Sequence, residues 1–282
     1  MTATGVKHET AASPAGTARR FGRELVALLT LPARRRRRKT SVLPLPAARL
    51  ALALVVAAAA IAGAMLVLDG WAYAQQKRLP LWLIEIFNEI TDYGLAGWFL
   101  WPAGILIIVL ARLAATTQGL VRLTIISLIV RLEFIFAAIA LPGLAVTIVK
   151  RLIGRIRPSE LGPFAYVPFS WRPDYASMPS GHATTAFAAA VALGALWPRA
   201  RPLLWLYAFV IAASRVIIAA HYPSDVIAGA CVGGFAALVI RNDFAARRLG
   251  FAVARDGTVH ALPGPSPRRI RSIWARLFAP AS

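Results

Sequence analysis

Cysteine is nearly absent from this sequence. Cys231 stands alone among 282 residues, so no intrachain disulfide can form, and an oxidising compartment is permitted without being indicated. Charge is scarce too: 16% of residues are Asp, Glu, Lys or Arg, against about 25% in an ordinary soluble domain. Acids are scarcest, at 12 against 32 Lys plus Arg, and there are four histidines. With 58% apolar residues and a mean hydropathy of +0.63, there is too little polar surface for a water-soluble fold. The chain reads as an integral membrane protein of about one domain. A net charge of +20 raises the question of nucleic acid. That charge is concentrated at the ends, however. Residues 1–40 hold ten basic and two acidic residues and residues 241–282 hold eight and two, so the tails carry 14 of the 20. Basic tails flanking apolar spans suit anionic lipid and the positive-inside rule, and speak against a nucleic-acid partner.

The fold class expected is all-α, a bundle of six transmembrane helices with an interfacial helix between spans one and two. Residues 1–42, which include the run Arg34 to Lys39 and too few apolar residues for a core, are expected to be a disordered cytosolic tail. Residues 43–241 are expected to form the six-span domain and residues 242–282 a second basic cytosolic tail. Span one covers about Ala47 to Leu68, long enough for a bilayer core of about 30 Å. The small-x-small triplet Ala72-Tyr73-Ala74 follows it, but the run starts too deep and is too long for a cleaved signal. Residues 80–93 place Leu83, Ile86, Phe87 and Ile90 on one helical face and Glu85, Glu89 and Asp92 on another, as on a membrane-surface helix with a solvated acidic face. Span two runs from about Leu95 to Leu113. Span three ends at Val149, with its start obscured by Arg122, Arg131 and Glu133. Arg131 and Lys150 are 19 residues apart, about 28 Å along a helix, which puts Arg131 at the inner boundary and Lys150 at the outer. Spans four, five and six cover about His182–Trp197, Pro202–Ala220 and Pro223–Ile240. Six spans return both tails to one side, and their basic charge makes that side the cytosol.

Polar residues within or beside spans cost free energy and are candidates for function. Here they gather in three segments: KRLIGRIRP (Lys150 to Pro158), MPSGH (Met178 to His182) and SRVIIAAHYPSD (Ser214 to Asp225). In the six-span topology all three reach the outer face. Lys150 and Arg157 are two helical turns apart, and share a face if span three continues to Pro158. Two cations on one face suit a polyanion, although cations snorkelling to lipid phosphates would look the same, and snorkelling accounts for Arg151 and Arg155. Ser180 and Gly181 open a helix whose free N–H groups can bind phosphate, and Ser180 alone is equally a helix cap. His182 can exchange a proton near neutral pH. His221 lies four residues before Asp225, close enough for the carboxylate to hold one ring nitrogen and free the other as nucleophile or base. A structural bond tying two helices is the alternative for that pair. Arg215 is buried by position and needs an anion, from a bound phosphate or from Asp225.

Together these motifs resemble the type 2 phosphatidic acid phosphatase superfamily, which includes membrane lipid phosphatases, soluble acid phosphatases and vanadium haloperoxidases. Its motifs K-x6-R-P, P-S-G-H and S-R-x5-H-x3-D stand here as Lys150…Arg157-Pro158, Pro179-Ser180-Gly181-His182 and Ser214-Arg215…His221…Asp225, without a departure. The resemblance implies a phosphate cradle of Lys150, Arg157, Arg215, Ser180 and Gly181, with His221 as nucleophile, Asp225 as its partner and His182 as acid for the leaving group. In-line phosphoryl transfer needs chiefly charge neutralisation and positioning, which three cations and helix-terminus amides supply.

The expected activity is therefore hydrolysis of a lipid phosphate or diphosphate through a phosphohistidine, without metal or other cofactor. Undecaprenyl diphosphate, phosphatidylglycerol phosphate, phosphatidic acid and a lipid A phosphate all suit the motifs, and the sequence leaves the oligomeric state open. The loop Pro163 to Tyr175 offers Phe164, Tyr166, Phe169, Trp171 and Tyr175 as a headgroup wall or an aromatic belt. A phosphotransferase would use the same intermediate with a lipid acceptor, and a non-catalytic lipid binder or transporter would leave its lipid phosphates intact.

Overall fold

Uninterrupted apolar runs leave a membrane segment one economical way to pair its backbone groups, the α-helix, and each run expected to span is helical. The computed structural model describes residues 14–277 apart from 39, 161 and 163, so His8, Lys39 and Pro163 lie outside the described residues. The elements are α1 (Pro14–Leu29), α2 (Leu31–Arg34), α3 (Ala47–Gly63), α4 (Asp69–Gln76), α5 (Leu81–Asp92), α6 (Gly97–Thr116), α7 (Gly119–Ile153), α8 (Gly181–Leu196), α9 (Arg201–Ile217), α10 (Pro223–Ala246), β1 (Phe251–Val253), β2 (Val259–Ala261) and α11 (Pro267–Leu277). A single π-helical turn, Ala64–Leu68, joins α3 to α4. Among the described residues, five segments are long and apolar enough to cross a membrane by length and composition: Ala47–Gln76, Leu81–Thr116, Gly119–Ile153, Pro198–Ile217 and Pro223–Ala246. Helix α8 is apolar but only 16 residues long, under the roughly 20 usual for a span.

Helix α8 is the centre of the bundle. It packs on α7, α9 and α10, and ten of its sixteen residues are buried. Its alanines and the glycines of α10 let backbones approach closely. A Cβ added at Gly229 would lie 2.4 Å from the Ser180 carbonyl oxygen, and one at Gly233 would lie 2.2 Å from that of Thr184. The seam thereby fixes the start of α8 against the start of α10, where two of the three motifs sit.

Two expectations about the ends need correction. Within the stretch expected to be disordered, α1 is a packed helix. Phe21, Leu25 and Leu28 recur at helical spacing and meet Ile107, Ala111 and Ala114 of α6 and Ile125 and Ile129 of α7. The all-α description also omits a hairpin: β1 and β2 pair antiparallel with Phe251 opposite Ala261. Phe251 is buried edge-on against Phe134, 4.7 Å between ring centroids, and Phe244 packs on the same ring. Arg131 is tied to this end of the molecule, donating to the Ser127 carbonyl at 2.7 Å and to the Leu262 carbonyl at 2.8 Å.

Candidate active site

The first motif is assembled by a loop rather than along a helix. Helix α7 stops at Gly154, short of Pro158, because Gly154 is left-handed (φ 65°, ψ 32°) and its N–H donates to the Lys150 carbonyl at 3.0 Å. A Cβ there would lie 1.8 Å from the Val167 oxygen. Lys150 and Arg157 therefore do not share a helical face as expected. Beyond the cap the backbone pairs with the returning loop. Ile156 N–H donates to Ala165 O, Arg157 N–H to Asp174 O and Ser177 N–H to Arg155 O, each at 3.0 Å. The chain leaves Phe164, Phe169 and Trp171 largely exposed on that loop, and Arg151 stacks over the Trp171 ring.

The second motif opens α8. Ser180 caps it, its Oγ accepting from the Ala183 N–H at 3.5 Å, and its own N–H donates to the Asp225 carbonyl at 2.9 Å. His182, in the first turn, sits beneath the turn between α5 and α6. A Cβ at Gly94 would stand 3.0 Å from the His182 Cδ2. His182 interacts electrostatically with Arg215, His221, Arg157 and Lys150, and Lys150 with Arg157, Arg151 and Arg215. The cations and histidines expected from three segments thus meet at one end of the bundle.

The third motif supplies a buried histidine and a buried carboxylate. The His221 N–H donates to the Arg215 carbonyl at 3.0 Å, closing the turn after α9. Its Nδ1 faces Asp225 Oδ2 at 3.7 Å, too long for a hydrogen bond. The Ser177 hydroxyl stands beside both, 3.4 Å from Nδ1 and donating to Oδ2 at 2.5 Å. Burial pushes the His221 pKa down to about 4 against the opposing pull of Asp225. The ring is therefore neutral at physiological pH and carries a lone pair.

Arg215 does not pair with Asp225. Its Nη1 donates to Thr91 Oγ1 at 2.7 Å, while Asp92 interacts with it electrostatically. Asp92 is exposed as expected, but α5 also delivers a buried threonine that the amphipathic pattern gave no reason to single out. The Nε–H groups of Arg157 and Arg215 are buried with no hydrogen-bond partner among the described residues. Buried donors left unpaired cost of order 1–3 kcal/mol each, and a bound oxyanion would satisfy both. Burial lowers the Arg157 pKa, with Asp174 and Asp225 opposing.

Arg155 corrects a sequence expectation outright. It does not snorkel. It is fully buried, with Nη1 on Asp225 Oδ1 and Nη2 on Asp69 Oδ2, both at 2.7 Å. Burial works against its charge, but Asp225 and Asp69 outweigh that and hold its pKa above the ordinary value. Asp69, Ser177 and Ser224 were not singled out by sequence. The only available signal was an acid at the end of span one, an expensive place for a charge without a partner.

The PAP2 superfamily model matches residues 131–249. A lipid A 1-phosphatase of Rhizobium etli is 32% identical over 203 residues, covering 70% of this chain and 86% of that protein. A lipid A 4'-phosphatase of Bacteroides thetaiotaomicron is 36% identical over 93 residues, 30% of this chain and 41% of that one. Among solved structures, a transmembrane PAP2 type phosphatidylglycerolphosphate phosphatase from Bacillus subtilis superposes with a TM-score of 0.38 at 18% identity, over 79% of this chain and 93% of that chain. The length and identity of the first match, together with the family match across the whole motif region, decide the matter: the chain belongs to the PAP2 superfamily and is a membrane phosphatase acting on lipid phosphate.

Proposed function

We propose that the chain hydrolyses the 1-phosphate of a lipid A-type glycolipid through a phosphohistidine on His221. The observation that carries a phosphate at this place is the pair of buried, partnerless Nε–H donors of Arg157 and Arg215 beside His182 and His221. Lys150, Arg157, Arg215 and the Ser180–Gly181 turn hold the phosphoryl oxygens and neutralise charge as it spreads over them. The His221 Nε2 attacks phosphorus while the bond from phosphorus to the lipid oxygen breaks, and that oxygen takes a proton from His182. His182 then accepts a proton from water, the hydroxide displaces His221 from phosphorus, and inorganic phosphate leaves. Asp225 stabilises the positive charge on the His221 ring between the two steps. The choice of lipid rests on the relatives named lipid A 1-phosphatase.

Helix α8 serves as the sixth span in this reading. Its 16 residues rise about 24 Å, and being walled by α7, α9 and α10 it has little lipid to meet. Six spans then place both basic tails in the cytosol and the site at the outer face of the inner membrane. The test is phosphate release by the purified protein from lipid A carrying both phosphates, from undecaprenyl diphosphate, from phosphatidylglycerol phosphate and from phosphatidic acid. Selective loss of the 1-phosphate is expected. Transfer of the phosphate to an added lipid would make the chain a transferase, and loss of only the 4'-phosphate or of a glycerolipid phosphate would overturn the substrate assignment.

A further inference from the structure

We infer that Asp69 and Arg155 are positioning residues that hold Asp225 in the orientation and charge state His221 requires, an inference that rests on the nucleophilic role proposed for His221. The geometry is a closed ring. Arg155 spans two carboxylates with one guanidinium, Nη1 to Asp225 and Nη2 to Asp69. Ser224 locks the other side. Its hydroxyl donates to Asp69 Oδ2 at 2.6 Å and accepts from Arg155 Nη1 at 2.7 Å, and its N–H donates to Asp69 Oδ1 at 3.0 Å. The Tyr222 ring lies 4.3 Å from the guanidinium carbon. Asp225 is thus divided: Oδ1 belongs to Arg155, while Oδ2 takes the Ser177 hydroxyl and the Tyr222 N–H at 3.0 Å and faces His221.

The charges explain why a second acid is needed. Arg155 alone would neutralise Asp225 and leave nothing to balance the imidazolium charge that develops when His221 is phosphorylated. Asp69 balances Arg155, so the buried group keeps one net negative charge for the ring. The backbone of the first span is adapted to this. Ala64, Asp69 and Ala72 are all buried while Leu66, Val67 and Leu68 are exposed. The five-residue step from Ala64 to Asp69 stays on one face because it spans the π turn Ala64–Leu68. Such turns are rare and concentrate at functional sites.

The experiment compares kcat, KM and the pH dependence of kcat/KM in wild type, Asp69→Asn, Arg155→Lys, the double variant Asp69→Asn with Arg155→Met, and His221→Ala, each measured on its monodisperse folded fraction. His221 is faced by Asp225 from α10, Arg215 from α9, Arg157 from the loop after α7 and His182 from α8. None of these is altered in the positioning variants. Asp69→Asn should lower kcat on the order of 10- to 100-fold, the scale of losing a hydrogen bond to a charged group, with KM unchanged because Asp69 does not touch substrate. Losing a negative charge disfavours protonated His221, so the acid limb moves to lower pH. The double variant removes one charge of each sign, and the limb should return to its wild-type position. Arg155→Lys keeps the charge but not the two-pronged grip, and should lower kcat without moving the limb.

Wild-type kcat and pH profile in Asp69→Asn would overturn the inference. So would a lower yield of folded protein whose activity per molecule and pH profile are unchanged, since that is a structural role only. If Asp69→Asn gives no folded fraction, the double variant and Arg155→Lys decide by the same two readouts. An active His221→Ala enzyme would instead remove the nucleophile, and its failure is separable from that of the positioning pair.

Discussion

Replacing Gly233 by alanine tests whether the seam between α8 and α10 sets the chemistry. The new Cβ would lie 2.2 Å from the Thr184 carbonyl oxygen and 2.9 Å from its carbonyl carbon. Backbone atoms at both points leave no flexible side chain to yield, so the helices must part by about 1 Å to restore contact, an overpacking cost of about 1–3 kcal/mol. The same displacement stretches the bond from the Ser180 N–H to the Asp225 carbonyl, now 2.9 Å, and moves the Ser180–Gly181 turn, proposed to hold phosphate, away from His221. A misplacement of about 1 Å can cost about 100-fold in rate. Gly234 is the internal control. A Cβ there meets nothing nearer than Val191 Cγ2 at 4.0 Å, and alanine is the better helix former by about 0.5–1 kcal/mol. Thermal unfolding in detergent and phosphate release per folded molecule should therefore fall for Gly233→Ala, while Gly234→Ala keeps its rate and holds or gains stability. Equal behaviour of the two variants would refute the close-packing argument.

How much was legible in advance follows from where each signal resides. Long apolar runs gave the helices, and three spaced motifs gave Lys150, Arg157, Ser180, His182, Arg215, His221 and Asp225, which the fold brings to one end. Three other features had no local signal that fixed their role. Gly154 is one glycine among twenty, and only its collision with Val167 shows that α7 must stop there. Arg155 and Arg151 look alike in sequence, yet one is fully buried between carboxylates and the other stacks on Trp171. The difference arises from the turn after the cap, a tertiary effect. Asp69 depends on a π turn, which shifts the helical phase by one residue and defeats a reading at 3.6 residues per turn.

The remaining predictions concern the chemistry itself. His221→Ala and His182→Ala should each remove nearly all turnover while the protein stays folded, since general acid catalysis alone contributes about two to four decades. Activity within threefold of wild type would refute either role. Because burial holds the His221 pKa at about 4 while an unfolded histidine titrates near 6.5, the unfolded chain binds the extra proton between those values. Stability should fall as pH drops through that window. His221→Asn should lose this part of the pH dependence of Tm, and an unchanged slope would refute it. Cysteine placed at exposed Ser159, with Cys231 removed, should react with an impermeant thiol reagent from the outer side; labelling only in inside-out vesicles would invert the topology. Finally, turnover should survive chelators and be blocked by orthovanadate, which mimics five-coordinate phosphorus. Metal-assisted phosphoryl transfer places carboxylates or histidines around a divalent ion. In the proposed mechanism both site histidines are committed, one to phosphorus and one to the proton. The nearest buried carboxylate, Asp225, is held on one oxygen by Arg155 and on the other by Ser177. Lys150, Arg157 and Arg215 would repel a divalent ion from the position where it would have to bridge phosphate, and they already carry the charge it would bring. Activity lost to a chelator and restored by one added metal would overturn this mechanism and make Glu160 and Asp174 the first ligands to replace.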